Sequence, residues 1–405
     1  MQQDINDLKV LFPPVFDVEN VKHKVVMQPF CDEAVDFFNA LSRELNKDVR
    51  VRNYPDVATF AFFCRKANIL NLKKQYEISR NGIRLGRGIV FHVAPSNVPV
   101  NFAYSLLCGI LAGNKNIVRV PSKNFEQVVL ITEAILRVTE TGQYDEITGG
   151  IVLVQYDRQS TATSFFSSVC DVRVIWGGDE TISGIRRNPI LPRAFDVTFA
   201  DRYSLCVIDA KKYLEEGNAE AIALGFYNDT YLFDQNACTA PHLIAWLGDG
   251  EEVETAKERF WNVLYKLVKQ KYKEIQPVIA VDKLTALYKQ AVSVPDIYKE
   301  ESADNLLWRV HIDVLPDNID EYRCTSGYFS ECNIRSLSDL VFVINNKYQT
   351  LAYYGFSVSE LSDFVRNNHL LGIDRIVPIG HTMDFSLTWD GYDLIETLSR
   401  CCEVK

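Results

Sequence analysis

From Gly86 onward, short β-branched runs alternate with stretches of helix length, and this rhythm is the strongest structural signal in the chain. GIVFHVAP, NIVRVPS, GIVLVQYD, VRVIWGG and DVTFA read as five strands. Between them, residues 97–112 and 124–139 are long enough for crossover helices, and residues 160–168 and 180–187 for shorter ones. Strand and helix in strict alternation predict a wound parallel α/β sheet, whose ligands bind at the carboxyl ends of the strands. Those ends are the loops at Pro95–Pro99, Pro121–Lys123 and Gly177–Asp179.

A second α/β unit begins near Ser204 with the strand SLCVID and a helix over residues 214–227. It continues through HLIAWL, an amphipathic helix over residues 253–272, and the strand-like runs LLWRVHI, LVFVIN and RIVPIG. Before Gly86 the pattern is different: Ala34, Phe37, Phe38 and Leu41 recur at helical spacing. The expected organisation is a helical lead-in over 1–85, one wound domain over 86–204, a second over 205–380, and a tail over 381–405. No Pro/Gly/Ser-rich linker marks the boundary, and there is no internal repeat.

Composition narrows the partners. The 405 residues, 47% hydrophobic, suffice for two packed cores. A formal charge of -10 disfavours a nucleic-acid backbone. The N-terminal MQQDINDLKV has no basic-then-apolar signal, and no stretch approaches the roughly 20 apolar residues of a membrane span. Ten cysteines scattered through apolar segments, without CxxC pairs, point to a reducing cytoplasm, and they and the six histidines show no metal-ligand spacing.

Two segments carry candidate chemistry. NDTYLFDQNACTAPHLI places Cys238 in a short polar loop directly before an apolar strand, where a thiol can be exposed, although a free cysteine is more often a small buried apolar residue. His242, four residues on, could pair with it, but its entry into an apolar strand fits a core histidine better, as does the position of His92. In HVAPSNVPVNFAYSLLCGILAGNKNIVRVPSK, a strand ends in a Pro-bracketed turn holding Asn97, and a second strand ends in a basic turn. The Asn97 amide could donate to a developing oxyanion or simply make an Asx turn before Pro99.

These residues resemble the LuxC-type acyl-CoA reductases, a branch of the aldehyde dehydrogenase superfamily, from about Gly86 through IDRIVPIG and WDGYDLIETLSR. The resemblance implies an aldehyde-dehydrogenase-like fold with a cofactor-binding domain followed by a catalytic one. It makes Cys238 the nucleophile, with Asn97 and the Cys238 N–H as oxyanion donors. APSNVP is the counterpart of the superfamily's PWNFP turn, and Pro95 brackets it. No GxGxxG follows a strand. Where the superfamily's second turn ends in an acid that holds a ribose hydroxyl, VPSK ends in Lys123 after Ser122. A cation there favours a 2′-phosphate and hence NADPH. Arg119 either helps or is a solvated strand-edge residue. WGGDETISG is similar to the superfamily's FTGSTEVG loop, so Gly177 and Gly178 would admit the cofactor, while Asp179 and Thr181 also suit helix capping.

One departure bears on the reaction. The water-activating Glu of hydrolytic relatives falls at Thr198 in TFADRYSL; a shift in alignment would bring Asp196 or Asp201 there instead. TSGYFSECN, facing the superfamily's EEIFGP segment, supplies no acid at the expected place. The expected reaction is therefore NADPH-dependent reduction of an acyl-CoA or other acyl thioester to an aldehyde through an acyl-cysteine. The alternatives are an aldehyde oxidiser releasing free acid and a non-catalytic binding member. By the same resemblance the partners are an acyl-activating synthetase and further copies of the chain, with LIETLSRCCEVK either an oligomer contact or a packed helix.

Overall fold

Contacts divide the chain into two compact units, Met1–Ala200 with Tyr392–Lys405, and Asp201–Gly391. The structure, a computed structural model, describes residues 8–17, 22, 26–77, 82–272 and 275–404; the first residues of the segment read for a signal lie outside these.

In the first unit the strands are β1 (Lys9–Phe12), β2 (Ile83–Gly86), β3 (Ile89–Val93), β4 (Lys115–Arg119), β5 (Ile151–Gln155), β6 (Val172–Trp176) and β7 (Phe195–Phe199). The five expected runs form a parallel sheet in the order β5-β4-β3-β6-β7, and β1 extends it as an antiparallel edge on β5. Every residue of β3 and β6 is buried, as a parallel sheet covered on both faces requires. The helix after β3 runs Asn101–Leu111, four residues later than the pattern predicts, because Pro99 disfavours helical geometry at Val98 and leaves Asn97 in a loop.

The lead-in helix Asp32–Lys47 buries the Ala34, Phe37, Phe38 and Leu41 stripe that its spacing predicts. At the other end of the chain, the helix Leu394–Leu398 buries Leu394, Ile395 and Leu398, and the strand Ser399–Cys402 pairs antiparallel with β2. The Asn114 amide reaches the Leu398 carbonyl at 2.8 Å, so this C-terminal segment packs within its own unit.

The second unit contains β8 (Tyr203–Asp209), β9 (Pro241–Leu247), β10 (Ile297–Lys299), β11 (Trp308–Ile312), β12 (Tyr328–Ile334), β13 (Tyr348–Tyr354) and β14 (Arg375–Pro378). Their order is β10-β11-β12-β9-β8-β13-β14, with β10 alone antiparallel to its neighbour. One face packs Trp246, Phe226, Phe260 and Trp261; the other packs Leu205, Leu243, Leu351 and Leu361. The helix expected over 214–227 is two helices, Ala210–Glu216 and Ala219–Thr230, because Asn218 caps the second by accepting from Ala221 N–H.

LVFVIN is not a strand. Ser336 and Asp339 form a capping box that starts a 3-10 turn over Leu337–Leu340, and the run then buries Leu340, Val343 and Ile344 at helical spacing while Phe342 faces solvent. The strands in this region are β12 and β13, which the pattern does not flag. No helix among the described residues is long and apolar enough to cross a membrane.

Candidate active site

In the first unit, strand order reverses between β3 and β6, the place where a doubly wound sheet opens a crevice at its carboxyl edge. The loops leaving β3, β4 and β6 carry Pro95 and Asn97, Ser122 and Lys123, and Gly177 and Gly178, so the expected cofactor residues share one sheet edge. A buried network fixes this edge. Asn116 spends its NH2 on the Asn114 carbonyl at 2.7 Å, leaving its oxygen to accept from His92 Nε2 at 3.0 Å. Trp176 Nε1 donates to Ser105 Oγ at 3.0 Å, which frees the Ser105 hydroxyl to donate to His92 Nδ1 at 2.7 Å. Burial lowers His92 to a pKa of about 4, so it is a neutral core histidine. Gly109 is required above it, because a Cβ there would lie 1.8 Å from Asn116 Oδ1.

Asn97 is exposed, and its amide makes no hydrogen bond among the described residues, so the Asx-turn use is not made. Lys123 is also exposed, with its ammonium 5.3 Å from the Phe125 ring centre and no ion pair among the described residues. Arg119 stacks its guanidinium on Tyr156 at 4.8 Å and donates to the Tyr156 carbonyl at 3.2 Å, while its buried Nε has no partner. Ser122 Oγ lies 3.5 Å from the same carbonyl. Gly178 caps the helix Asp179–Arg186 without a side-chain bond, and the space its Cβ would fill is open. At Gly177 a Cβ would press on Thr181 at 3.1 Å. An open backbone cradle at a helix N-terminus, an orphaned Arg119 Nε and an unpaired Lys123 together fit an anionic dinucleotide, although Asp179 and Glu180 weaken the helix terminus itself.

The second unit holds Cys238 in the turn between the helix Ala219–Thr230 and β9, at the amino end of the parallel strands. Gln235 pins the base of that turn. Its Nε2 donates to the carbonyls of Pro241 and Tyr328, each at 3.0 Å, and its Oε1 accepts from the N–H groups of Gly327 and Tyr328 at 3.0 and 3.1 Å. Asp234 and Gln235 both adopt positive φ, 52° and 58°, which turns the chain sharply ahead of the cysteine. Beyond it, Ser204 Oγ donates to the Cys238 carbonyl at 2.7 Å, and Thr239 is buried against Met383. Among the described residues, the Cys238 N–H donates to no backbone carbonyl.

Cys238 is half-buried, and its thiol is pushed up to about 12, first by burial and then by the Asp390 carboxylate. A hydrogen bond from the Gln349 side chain and the Arg202 charge act the other way. Gln349 Nε2 also donates to Asp390 Oδ1, and burial raises Asp390 to about 6. His242 is not the partner of the thiol. It is buried, stacked on Tyr203 with ring centres 5.7 Å apart, and lowered to about 3 mainly by burial.

The carboxylates considered near Thr198 are engaged elsewhere: Asp196 binds Arg173 at 2.8 and 3.1 Å, and Asp201 binds Arg323 at 2.5 and 2.6 Å. In TSGYFSECN, Glu331 is fully buried between Trp246, Trp261 and Arg309. Sequence reasoning missed Gln349, Asp390 and Ser204. Asp390 lies in WDGYDL, and the Asp-Gly pair, with φ of 49° and 75°, is a legible turn signal, but nothing local marks Gln349.

The profile of the family described as acyl-CoA reductase (LuxC) matches residues 67–401. A long-chain acyl-protein thioester reductase of Aliivibrio fischeri is 27% identical over 189 residues, 44% of this chain and 37% of that protein. One of Photobacterium leiognathi, named long-chain acyl-protein thioester reductase 2, is 25% identical over 48% of this chain and 37% of its own length. The match thus spans little more than a third of each relative. Among solved structures, an aldehyde dehydrogenase of Physcomitrella patens in complex with succinate superposes with a TM-score of 0.65 at 11% identity, covering 91% of this chain and 85% of its own. An NADP-dependent glyceraldehyde-3-phosphate dehydrogenase of Bacillus halodurans, complexed with NADP, does so with a TM-score of 0.62 at 14% identity, covering 92% and 86%. The fold is that of the aldehyde dehydrogenases.

Proposed function

The chain belongs to the LuxC acyl-CoA reductase family, and from that premise we propose that it reduces an acyl thioester to an aldehyde, with the acyl group carried on Cys238 and NADPH as reductant. The observation that carries this reading is the turn at the head of β9, pinned by Gln235 and Ser204, which presents a half-buried thiol.

Cys238 sulfur attacks the thioester carbonyl, and the carbonyl oxygen takes the negative charge. The Cys238 N–H donates to that oxygen, and the unpaired Asn97 amide is assigned the second donor by resemblance. Collapse expels the donor thiol and leaves an acyl group on the sulfur. Bound NADPH would supply the hydride that takes this acyl thioester to the aldehyde level, held by Lys123, Ser122, Arg119 and the backbone at Pro95, Gly177 and Gly178. Cleavage of the C–S bond then releases the aldehyde and restores the thiol. Asp196 and Asp201 are tied up in ion pairs, and Asp390 is bonded to Gln349, which favours reduction over hydrolysis to a free acid.

The relatives' names put the acyl donor on a protein and make it long-chain, so an acyl-activating synthetase is the proposed donor; a homo-oligomer is proposed as the working assembly by family resemblance alone. The test is NADPH consumption over a series of acyl-CoA chain lengths and with an acylated donor protein, wild type beside Cys238→Ala. Consumption that depends on Cys238 is expected. Equal rates for the variant would overturn the scheme.

A further inference from the structure

The turn that carries Cys238 is tied through Ser204 to the amino end of β13, a strand that no local signal connects to the site. Pairing of β13 with β8 slips between Tyr348 and Leu351, and pairing of β8 with β9 slips between Ser204 and Leu205. Such irregularities re-aim side chains out of the regular alternation, and here both occur beside the cysteine turn. The re-aimed residues are Gln349, whose neighbour Thr350 donates its N–H to Ser204 Oγ at 3.2 Å, and Ser204 itself, whose hydroxyl holds the Cys238 carbonyl at 2.7 Å.

Gln349 is buried, so its amide cannot turn to water. One Nε2 hydrogen goes to Asp390 Oδ1, and the Gln349 oxygen lies 3.5 Å from Thr350 Oγ1. The amide is thereby held with its NH2 side, rather than its oxygen, toward Asp390, and its interaction with the thiol lowers the thiol's pKa, as a donor's would. An acceptor facing the sulfur would oppose the thiolate; a donor favours it. Asp390 itself is presented by the Asp-Gly turn, where both residues have positive φ.

We propose that Gln349 is the hydrogen-bond donor that steadies the Cys238 thiolate, and that Asp390 is the positioning residue that keeps the Gln349 amide in the donating orientation. This rests on Cys238 being the nucleophile of the reductase reading above. Asp390 acts in two opposed ways: its charge disfavours the thiolate, while its grip on Gln349 provides the donor that favours it. Four charged groups face the sulfur or its partners. They are Asp390, with Arg202 bonded to Asp374, and Arg375, whose guanidinium is engaged by the carbonyls of His381, Thr382 and Asp384.

The test is the pH–rate profile of Cys238 alkylation by iodoacetamide in the full chain, read by peptide mass spectrometry, with melting temperature recorded for every variant. Gln349→Met should slow alkylation about tenfold at pH 8 by removing the donor. Gln349→Glu, of the same size, should slow it at least as much and serves if the Met variant does not fold. Asp390→Asn and Asp390→Ala both remove the charge, but only Asn still accepts from Gln349. Alkylation should therefore be several-fold faster in Asp390→Asn than in Asp390→Ala, with the Asn profile shifted to lower pH than wild type. A merely structural role would move the melting temperature and leave the two Asp390 variants with one profile. Equal profiles for Asn and Ala, or no slowing in either Gln349 variant, would overturn the proposal. Alkylation needs neither acyl donor nor NADPH, so failure of the reductase reading would show separately as absent NADPH consumption with these profiles intact.

Discussion

Ser204 Oγ donates to the Cys238 carbonyl at 2.7 Å, and the same oxygen accepts from the Thr350 N–H at 3.2 Å. One fully buried hydroxyl thus ties the cysteine turn to β8, on which Ser204 lies, and to β13. The position of the proposed nucleophile is set by strand ends rather than by the loop alone, which is how a reactive group on a turn is held within a narrow geometry.

Ser204→Ala therefore leaves the part-buried Cys238 carbonyl and the buried Thr350 N–H without their partner. The expected cost is about 2 kcal/mol in urea unfolding, since each unsatisfied buried group costs about 1–3 kcal/mol. Thioester turnover should fall about tenfold, mainly in kcat, because the sulfur is displaced while the outer binding contacts remain. Unchanged kcat in a destabilised variant would mean that the turn keeps its geometry through Gln235 alone.

Lys123→Glu should reverse the choice of reductant. The lysine is exposed, and makes no ion pair among the described residues, at the carboxyl edge of β4, where a cation suits a 2′-phosphate and a carboxylate suits a ribose hydroxyl. Charge-assisted bonds of about 1.5–3 kcal/mol correspond to roughly a tenfold to hundredfold loss in kcat/KM for NADPH. The ratio of NADPH to NADH efficiencies measures this directly, and an unaltered ratio would remove Lys123 from the cofactor site.

How much of this was legible depended on what kind of signal each residue carries. In the first sheet β3, β4, β5 and β6 were readable because both faces are largely buried, so each carries a cluster of β-branched apolar residues. In the second unit, β12 reads YFSECNI, and its buried Glu331 is satisfied only by Trp246, Trp261 and Arg309, side chains distant in sequence. LVFVIN misled for the converse reason: its apolar residues suit a strand, but the Ser336–Asp339 box fixes a turn first. Cys238 was visible in a polar loop ahead of a strand. Gln349 and Ser204 were not, since register slips lie at their positions beside the cysteine turn and such slips leave no local trace. The rule that ligands gather at carboxyl strand ends led to the loops proposed for the cofactor but points away from Cys238, which sits at amino ends.

Asp196→Asn tests the conclusion that this carboxylate is structural. Arg173 is 1% exposed and bonded to Asp196, to Ser167 Oγ and to the carbonyls of Ile185 and Asn188. Neutralising Asp196 strands a buried guanidinium, which typically costs about 3–5 kcal/mol. Urea unfolding should show that loss, while Cys238 alkylation per folded molecule stays at the wild-type rate. A variant of wild-type stability with slowed alkylation would instead make Asp196 part of the site.

The Cys238 thiol makes the stability of the chain fall at alkaline pH. Its folded pKa of about 12 stands above the ordinary 9.0, chiefly through burial and then through Asp390. Below pH 9 the thiol is protonated in both folded and unfolded chains, and its contribution is fully present. Between 9 and 12 the unfolded chain releases this proton while the folded chain keeps it, so the folded state binds more protons and loses stability as pH rises. The buried thiols of Cys64, Cys206 and Cys332 are raised by burial too, so the wild-type curve alone does not isolate Cys238. Cys238→Ala does, since it removes this one titration and leaves the others. Urea unfolding at pH 7, 9 and 10.5 should show wild type losing stability relative to the variant over the two upper values. Curves that run parallel would mean the thiol is no more shielded in the fold than in the unfolded chain.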